Sequence, residues 1–244
     1  MSVKKIVKGF TLLEMAVVIA IMGIVMAGFV LPMLGQIKIR NQLLELQKYK
    51  ETKHTLEEIK AALLGYMQTN SDNALPCPDT NATAPDGNQD DCKNSDVEGY
   101  VPWADLGLMK GNDAWGNPIR YRVNRQYATK ISPTSFIATG RILKIKNIDG
   151  NWLSNSNDSK KEDSHIVAIL FSCGKNAKID ASNRVGINCD NTIALPSNAE
   201  NDYYIQDIRD YKMLSEIPTS FDDSLIWISK YQVINQLTNA GKWK

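Results

Sequence analysis

Histidine is almost missing from this chain: His54 and His165 are the only two among 244 residues. Neither stands at a ligand spacing from the other, and there is no Cys-x-x-Cys pair, so the common zinc frameworks are excluded. Also absent are His-Glu-x-x-His, Gly-x-Ser-x-Gly and a glycine-rich phosphate loop. An enzymatic role is therefore not expected, nor is a cofactor. Neither sign of charge is in surplus, with 28 basic and 27 acidic residues and a net charge of +1. A nucleic-acid footprint needs a basic excess, so nucleic acid is not an expected partner. One stretch, Asp86-Gly87-Asn88-Gln89-Asp90, opens like a calcium loop. It has Asp91 where that loop needs glycine and Val97 where it needs glutamate, so it reads as a solvated acidic loop and no metal is expected.

Acid is missing in a local sense too. Met1–Gly9 carries Lys4, Lys5 and Lys8 and no carboxylate. Taking those three from the 28 bases leaves 25 against 27 acids, so the body of the chain is slightly acidic at −2. After Gly9-Phe10 comes one isolated carboxylate, Glu14, and then the 20 uncharged residues Met15–Leu34. A bilayer core of ~30 Å takes about 20 apolar residues in a helix. The basic flank lies before the run, which predicts a cytoplasmic N-terminus and an exported remainder. The run is longer than the ~7–15 residues of a signal-peptide core and has no small-residue cleavage site behind it, so it reads as a retained anchor.

Helical spacing continues past the apolar run. Ile39, Leu43, Leu46, Leu56, Ile59, Leu63 and Tyr66 recur at steps near 3.5 across a more polar Tyr49–Thr55 turn, which predicts an amphipathic continuation to Thr69. Ser71-Asp72-Asn73 and then Pro76 and Pro78 end it. Gly28 and Pro32 are expected to soften the helix inside the apolar half. Beyond, Leu75–Tyr100 is loop-like, and Ile119–Asn124, Ser135–Thr139, Leu143–Ile148, Ile166–Ser172 and Leu225–Ser229 are strand candidates. Asp113-Ala-Trp-Gly-Asn-Pro118 reads as a turn feeding the first of these. Asn151–Asp163 is a polar loop, Asp202–Leu214 a short helix and Tyr231–Lys244 a terminal helix. Trp103, Trp115 and Trp227 are assigned to the core or edge of the sheet. The fold class is α+β, with one long N-terminal helix, membrane-spanning and then amphipathic, packed on a mostly antiparallel sheet.

The four cysteines, Cys77, Cys92, Cys173 and Cys189, form two sequence-local pairs. In an exported chain an even count at loop spacing implies disulfides, with three connectivities open. Short loops favour sequence-near partners, which predicts Cys77–Cys92 and Cys173–Cys189. Asn81-Ala82-Thr83 and Asn157-Asp158-Ser159 fit the N-glycosylation pattern, a match too short to carry weight alone.

The stretch Lys8-Gly9-Phe10-Thr11-Leu12-Leu13-Glu14 followed by the apolar run resembles the processing motif of prepilins, the family of type IV pilins, minor pilins and type II secretion pseudopilins. The match lies in a short basic leader ending in glycine, a phenylalanine directly after it, and a glutamate four residues beyond. The resemblance implies that prepilin peptidase cuts between Gly9 and Phe10, that Phe10 is N-methylated, and that Glu14 with Phe10 serves filament assembly. Pro32 is similar to a helix-softening proline of the family, one residue late. Leu75–Asp79, Asp113–Val123 and Phe221–Ser229 resemble larger pilin-like proteins more loosely. The implied layout is a leader at residues 1–9, a transmembrane and filament-core helix half at 10–36, an amphipathic half at 37–70 and a pilin-like head at 71–244. The implied partners are the peptidase, other pilin subunits, pilus or secretion assembly machinery and the inner membrane. The subunit would sit in the bacterial inner membrane with its head in the periplasm, then in a pilus or pseudopilus. Head size favours a minor pilin. A type II secretion pseudopilin is the nearest alternative, and a membrane-tethered periplasmic enzyme or binding protein the alternative of another class. Read without the family, Thr11 and Glu14 form the [ST]-x-x-[DE] signature of a capping box before an apolar run. That reading gives the Gly9-Phe10 junction no purpose.

Overall fold

A computed structural model of the chain describes residues 11–26, 28, 31–81, 84–131, 143–147, 149–154, 166–175, 204–206 and 223–242, with side chains for all of these except 31–39, 205 and 206. It divides into two compact units, Met1–Leu46 and Gln47–Lys244. The expected strand at Ser135–Thr139 lies outside the described residues.

In the smaller unit, helix α1 runs Leu12–Val25. Thr11 caps it in an extended conformation, and Met26 closes it by donating its N–H to the Gly23 and Met22 carbonyls. Met26 and Gly28 have the wide backbone of a π-type turn. The next helix, α2, runs Leu31–Thr69. Residues 27, 29 and 30, between the two helices, lie outside the described residues. The 14 residues of α1 span about 21 Å, short of the ~30 Å hydrocarbon core. Among the described residues no helix is long and apolar enough to cross a membrane.

From Gln47 onward α2 belongs to the larger unit. Its buried stripe is Tyr49, Thr52, Leu56, Ile59, Leu63 and Met67, at steps of three and four residues. The stripe runs straight through the turn that looked polar, and Met67 rather than Tyr66 carries its end. Leu43, expected on the same face, is 55% exposed. Asn73, in the left-handed region at φ 54°, turns the chain beyond α2, and its N–H bonds the Asn70 carbonyl at 3.1 Å.

Four strands form the main sheet: β1 (Glu98–Tyr100), β2 (Arg120–Val123), β4 (Ile166–Ser172) and β6 (Ser224–Ser229), ordered β1-β2-β4-β6 and antiparallel throughout. β2, β4 and β6 fall where the sequence placed them. β1 falls inside the stretch read as loop. A smaller pair, β3 (Ile145–Asn147) with β5 (Tyr204–Gln206), is parallel. It corrects the helix expected over Asp202–Leu214, since Tyr204–Gln206 is extended; the remainder of that range lies outside the described residues. Helix α3, Lys230–Asn239, follows β6 through a Ser229–Gln232 capping box.

The sheet is covered on both faces. On one face Tyr121, Val123, Ala168, Leu170 and Ile228 meet the α2 stripe and Val233 and Leu237 of α3. On the other, Ile169, Phe171 and Leu225 meet Leu143, Ile145 and Tyr204. A register shift between Ile166 and Ala168 marks a bulge in β4. Trp103 and Trp227 are partly buried against these clusters, in line with their assignment to core or edge.

Candidate functional site

The residues singled out by the sequence divide between the two units. At the head of α1, the Thr11 hydroxyl accepts the Glu14 N–H at 3.3 Å, and the Thr11 N–H donates to Glu14 Oε2 at 2.9 Å. The Thr11 hydroxyl also donates to that same oxygen at 2.9 Å. The capping box is thus complete, with the carboxylate folded back over the helix start where the orphan N–H groups are. Gly9 and Phe10, the expected cleavage junction and methylation site, lie outside the described residues. Gly28 is exposed, and nothing lies within 4 Å of where its Cβ would be.

Every described side chain of α1 is exposed, and the apolar ones point in all directions around the axis: Leu12 89%, Ile19 66% and Ile24 73% exposed. A helix that is apolar on all sides is a helix meant to be surrounded. Nothing within this chain covers it among the described residues.

In the larger unit, Cys77 and Cys92 form a buried disulfide with 5.5 Å between their Cα atoms, as the short-loop argument predicts. Cys173 is also disulfide-bonded, to a partner outside the described residues; Cys189 lies there too. The loop closed by Cys77–Cys92 is braced on α2 through Gln89, whose carboxamide accepts the Cys77 N–H at 3.2 Å and donates to the Tyr66 hydroxyl at 2.9 Å. The acidic stretch read as a solvated loop uses its carboxylates on the chain itself. Asp90 takes the Thr80 N–H and hydroxyl at 2.7 and 2.6 Å, and Asp86 takes the Asn88 N–H at 2.9 Å. No group of His, Cys, Asp and Glu able to hold a metal occurs among the described residues. His54 meets only Glu58, four residues on, at 3.4 Å on the solvent side of α2; His165 lies outside the described residues.

Among the described residues there are two buried polar clusters, of which the first was not foreseen and the second sits in the turn read at Asp113–Pro118. Beneath the second face of the sheet, Arg120 pairs with Glu98 at 2.7 Å, both fully buried. The Tyr204 hydroxyl donates to the other Glu98 oxygen, and Arg122 reaches that hydroxyl at 3.4 Å. The registry Glu98↔Arg122 and Tyr100↔Arg120 across β1 and β2 brings these groups to one face. The period-two signal was present in Arg120-Tyr121-Arg122-Val123, but a strand with arginines on one face reads as solvent-facing on that face. The second cluster is the Asp113 turn. Asp113 accepts the Trp115 and Asn117 N–H groups at 2.9 and 2.8 Å and the Ser172 hydroxyl at 2.6 Å, and Gly116 turns at φ 91°. The Ala114 N–H then reaches the hydroxyl of Thr52 at 3.2 Å, tying the turn to α2. Burial also pushes two phenols up: Tyr121, well above its ordinary value, with Tyr66 adding to the effect, and Tyr127, to about 12.

Residues 4–30 match the prokaryotic N-terminal methylation motif, the hallmark of type IV prepilin-like proteins. That motif implies processing by prepilin peptidase and assembly with other pilin subunits. No curated protein and no solved structure matches the chain.

Proposed function

We propose that the chain is a structural, non-enzymatic subunit of a type IV pilus-like filament, of the minor or accessory kind. In this reading prepilin peptidase cuts between Gly9 and Phe10, Phe10 is N-methylated, and the apolar run holds the subunit in the inner membrane with its head in the periplasm. On assembly the apolar helices of neighbouring subunits take the place of lipid.

The observation that carries the reading is α1 itself. A helix that is apolar on every side and exposed on every described residue lies within the match to the methylation motif. In water such a surface is unstable, since each buried CH₂ is worth about 0.8 kcal/mol. Lipid and other apolar helices are the two surroundings that satisfy it. Glu14 is the exception in that surface. A carboxylate in a water-free core costs several kcal/mol unless a cation meets it. Cutting before Phe10 creates such a cation, a new amine on each subunit.

Mass spectrometry of the native protein tests the reading. The expected chain begins at N-methyl-Phe10, and Gly9→Leu is expected to block the cut. A chain that still begins at Met1 in cells possessing the peptidase refutes the proposal.

A further inference from the structure

We infer that Met109 is a site of reversible oxidation, its thioether taking one oxygen atom from a peroxide. Methionine sulfur on a folded protein is oxidised where it can be reached and is spared where it is buried. Among the described methionines Met109 is the most open, at 97% exposed, whereas Met67 in the α2 stripe is fully buried.

The loop that carries Met109 joins β1 to β2 and is held on both sides of it. The Leu106 N–H bonds the Pro102 carbonyl at 3.1 Å, and the Leu108 N–H bonds the Trp103 carbonyl at 2.8 Å. Gly107 makes the turn between them in the left-handed region, at φ 71°. Beyond Met109, the Ile119 N–H reaches the Gly111 carbonyl at 2.8 Å. The Trp103 ring lies so close to Gly87 and to Gly111 that a Cβ at either position would clash with it. Trp103, Leu106 and Leu108 are partly buried against the core. The loop thus packs its other large apolar side chains and leaves Met109 out. A sulfoxide is polar and disrupts a core. At a side chain that packs on nothing it costs the fold nothing.

Thiols do not compete for the oxidant. A thiolate is a prime target of peroxides, but Cys77, Cys92 and Cys173 are all disulfide-bonded, and no cysteine is free among the described residues. Met15, Met22 and Met26 of α1 are surrounded by lipid or by other helices in the reading above. Export in that reading also takes the head away from the glutathione and thioredoxin that keep the cytosol reducing; to that extent the role of Met109 rests on it.

The step balances. A lone pair of the Met109 sulfur attacks one oxygen of the peroxide, an S–O bond forms and the O–O bond breaks. The leaving oxygen takes the proton of the transferred one and departs as water. Sulfur loses two electrons and the peroxide gains them. A thiol-dependent sulfoxide reductase reverses the change: its two thiols become a disulfide, and the oxygen leaves as water.

The experiment is a time course of dilute hydrogen peroxide on the full chain in membranes of its host, read by peptide mass spectrometry, with a second sample in denaturant. The Met109 peptide is expected to gain one oxygen at least about tenfold faster than the Met67 peptide, and the two rates to converge once the chain is unfolded. Methionine sulfoxide reductase should remove the oxygen. In detergent, the oxidised chain should keep the denaturation midpoint of the untreated one, and Met109→Leu should abolish the fast phase without moving that midpoint. A Met109 peptide that oxidises no faster than the Met67 peptide in the folded chain overturns the inference. So does a midpoint that falls when Met109 alone is oxidised, or an oxygen that the reductase leaves in place. The methionines of α1 keep the two proposals apart. If they oxidise as fast as Met109, the surroundings proposed for α1 are refuted and Met109 stands. If they and Met109 are protected alike, Met109 alone is refuted.

Discussion

Glu14 is held by its own helix, with both the N–H and the hydroxyl of Thr11 on one carboxylate oxygen. That arrangement explains why a carboxylate is tolerated in a lone subunit, and it sets a test between capping and pairing. Glu14→Ala and Glu14→Gln are both expected to be made, inserted and cut, yet to be missing from sheared filaments. Gln serves as well as Glu at the third position of a capping box. Wild-type filament entry by the Gln variant would therefore reduce Glu14 to a cap. Inside the head the decisive residues are the buried charges. Truncating Arg120 to Ala leaves Glu98 without its ion-pair partner in a water-free layer, a situation that costs about 3–5 kcal/mol; denaturant unfolding of the full chain in detergent measures it. Tyr127 sets a pH limit. Its folded value of about 12 exceeds the unfolded value near 10, so its contribution is whole below about pH 10. It is lost as pH rises through about 12. Unfolding midpoints that fall over that window in the wild type, and fall less steeply in Tyr127→Phe, are the expected outcome.

At the scale of the element, α2 shows how a stripe is read correctly in the middle and misread at its ends. Leu56, Ile59 and Leu63 were legible because aliphatic residues at steps of three and four have one explanation. Thr52 was not, because its burial depends on a hydrogen bond from Ala114 62 residues away. Leu63→Ala is expected to cost about 2–5 kcal/mol, since Leu63 is fully buried and the cavity cannot collapse against a rigid sheet. The Cys77–Cys92 loop was legible from spacing alone. With a separation of 15 residues, its closure is worth about 3 kcal/mol. Cys77→Ser with Cys92→Ser should lower stability by that order, and non-reducing peptide mapping should recover Cys77 linked to Cys92.

For the whole molecule, the division at Leu46 and Gln47 separates two kinds of surface. The larger unit encloses its apolar residues around a sheet covered on both faces. In the smaller unit the described apolar residues other than the half-buried Leu46 are exposed, and its helix α1 buries nothing. Removing residues 1–40 is therefore expected to leave the denaturation midpoint of the head unchanged while abolishing membrane retention. A lowered midpoint would mean that the head depends on the apolar segment for its core.

The sequence by itself determined the N-terminal motif, the periodic parts of α2, three of the four main strands and the disulfide at Cys77–Cys92. Each is written in a local pattern: a fixed spacing of residue types, a period of 3.6 or two, or a loop short enough to favour its own ends. The tertiary structure alone decided β1, β5 with its parallel pairing to the foreseen β3, and the buried Glu98–Arg120–Tyr204 cluster. Glu98-Gly99-Tyr100 has three residues and no period, and becomes a strand only because β2 is there to pair with it. Arg120 and Arg122 are buried because residues 22 to 82 positions away close over them. A buried charge is admitted only where distant groups complete its hydrogen bonds, and local sequence has no means of recording which distant groups will arrive.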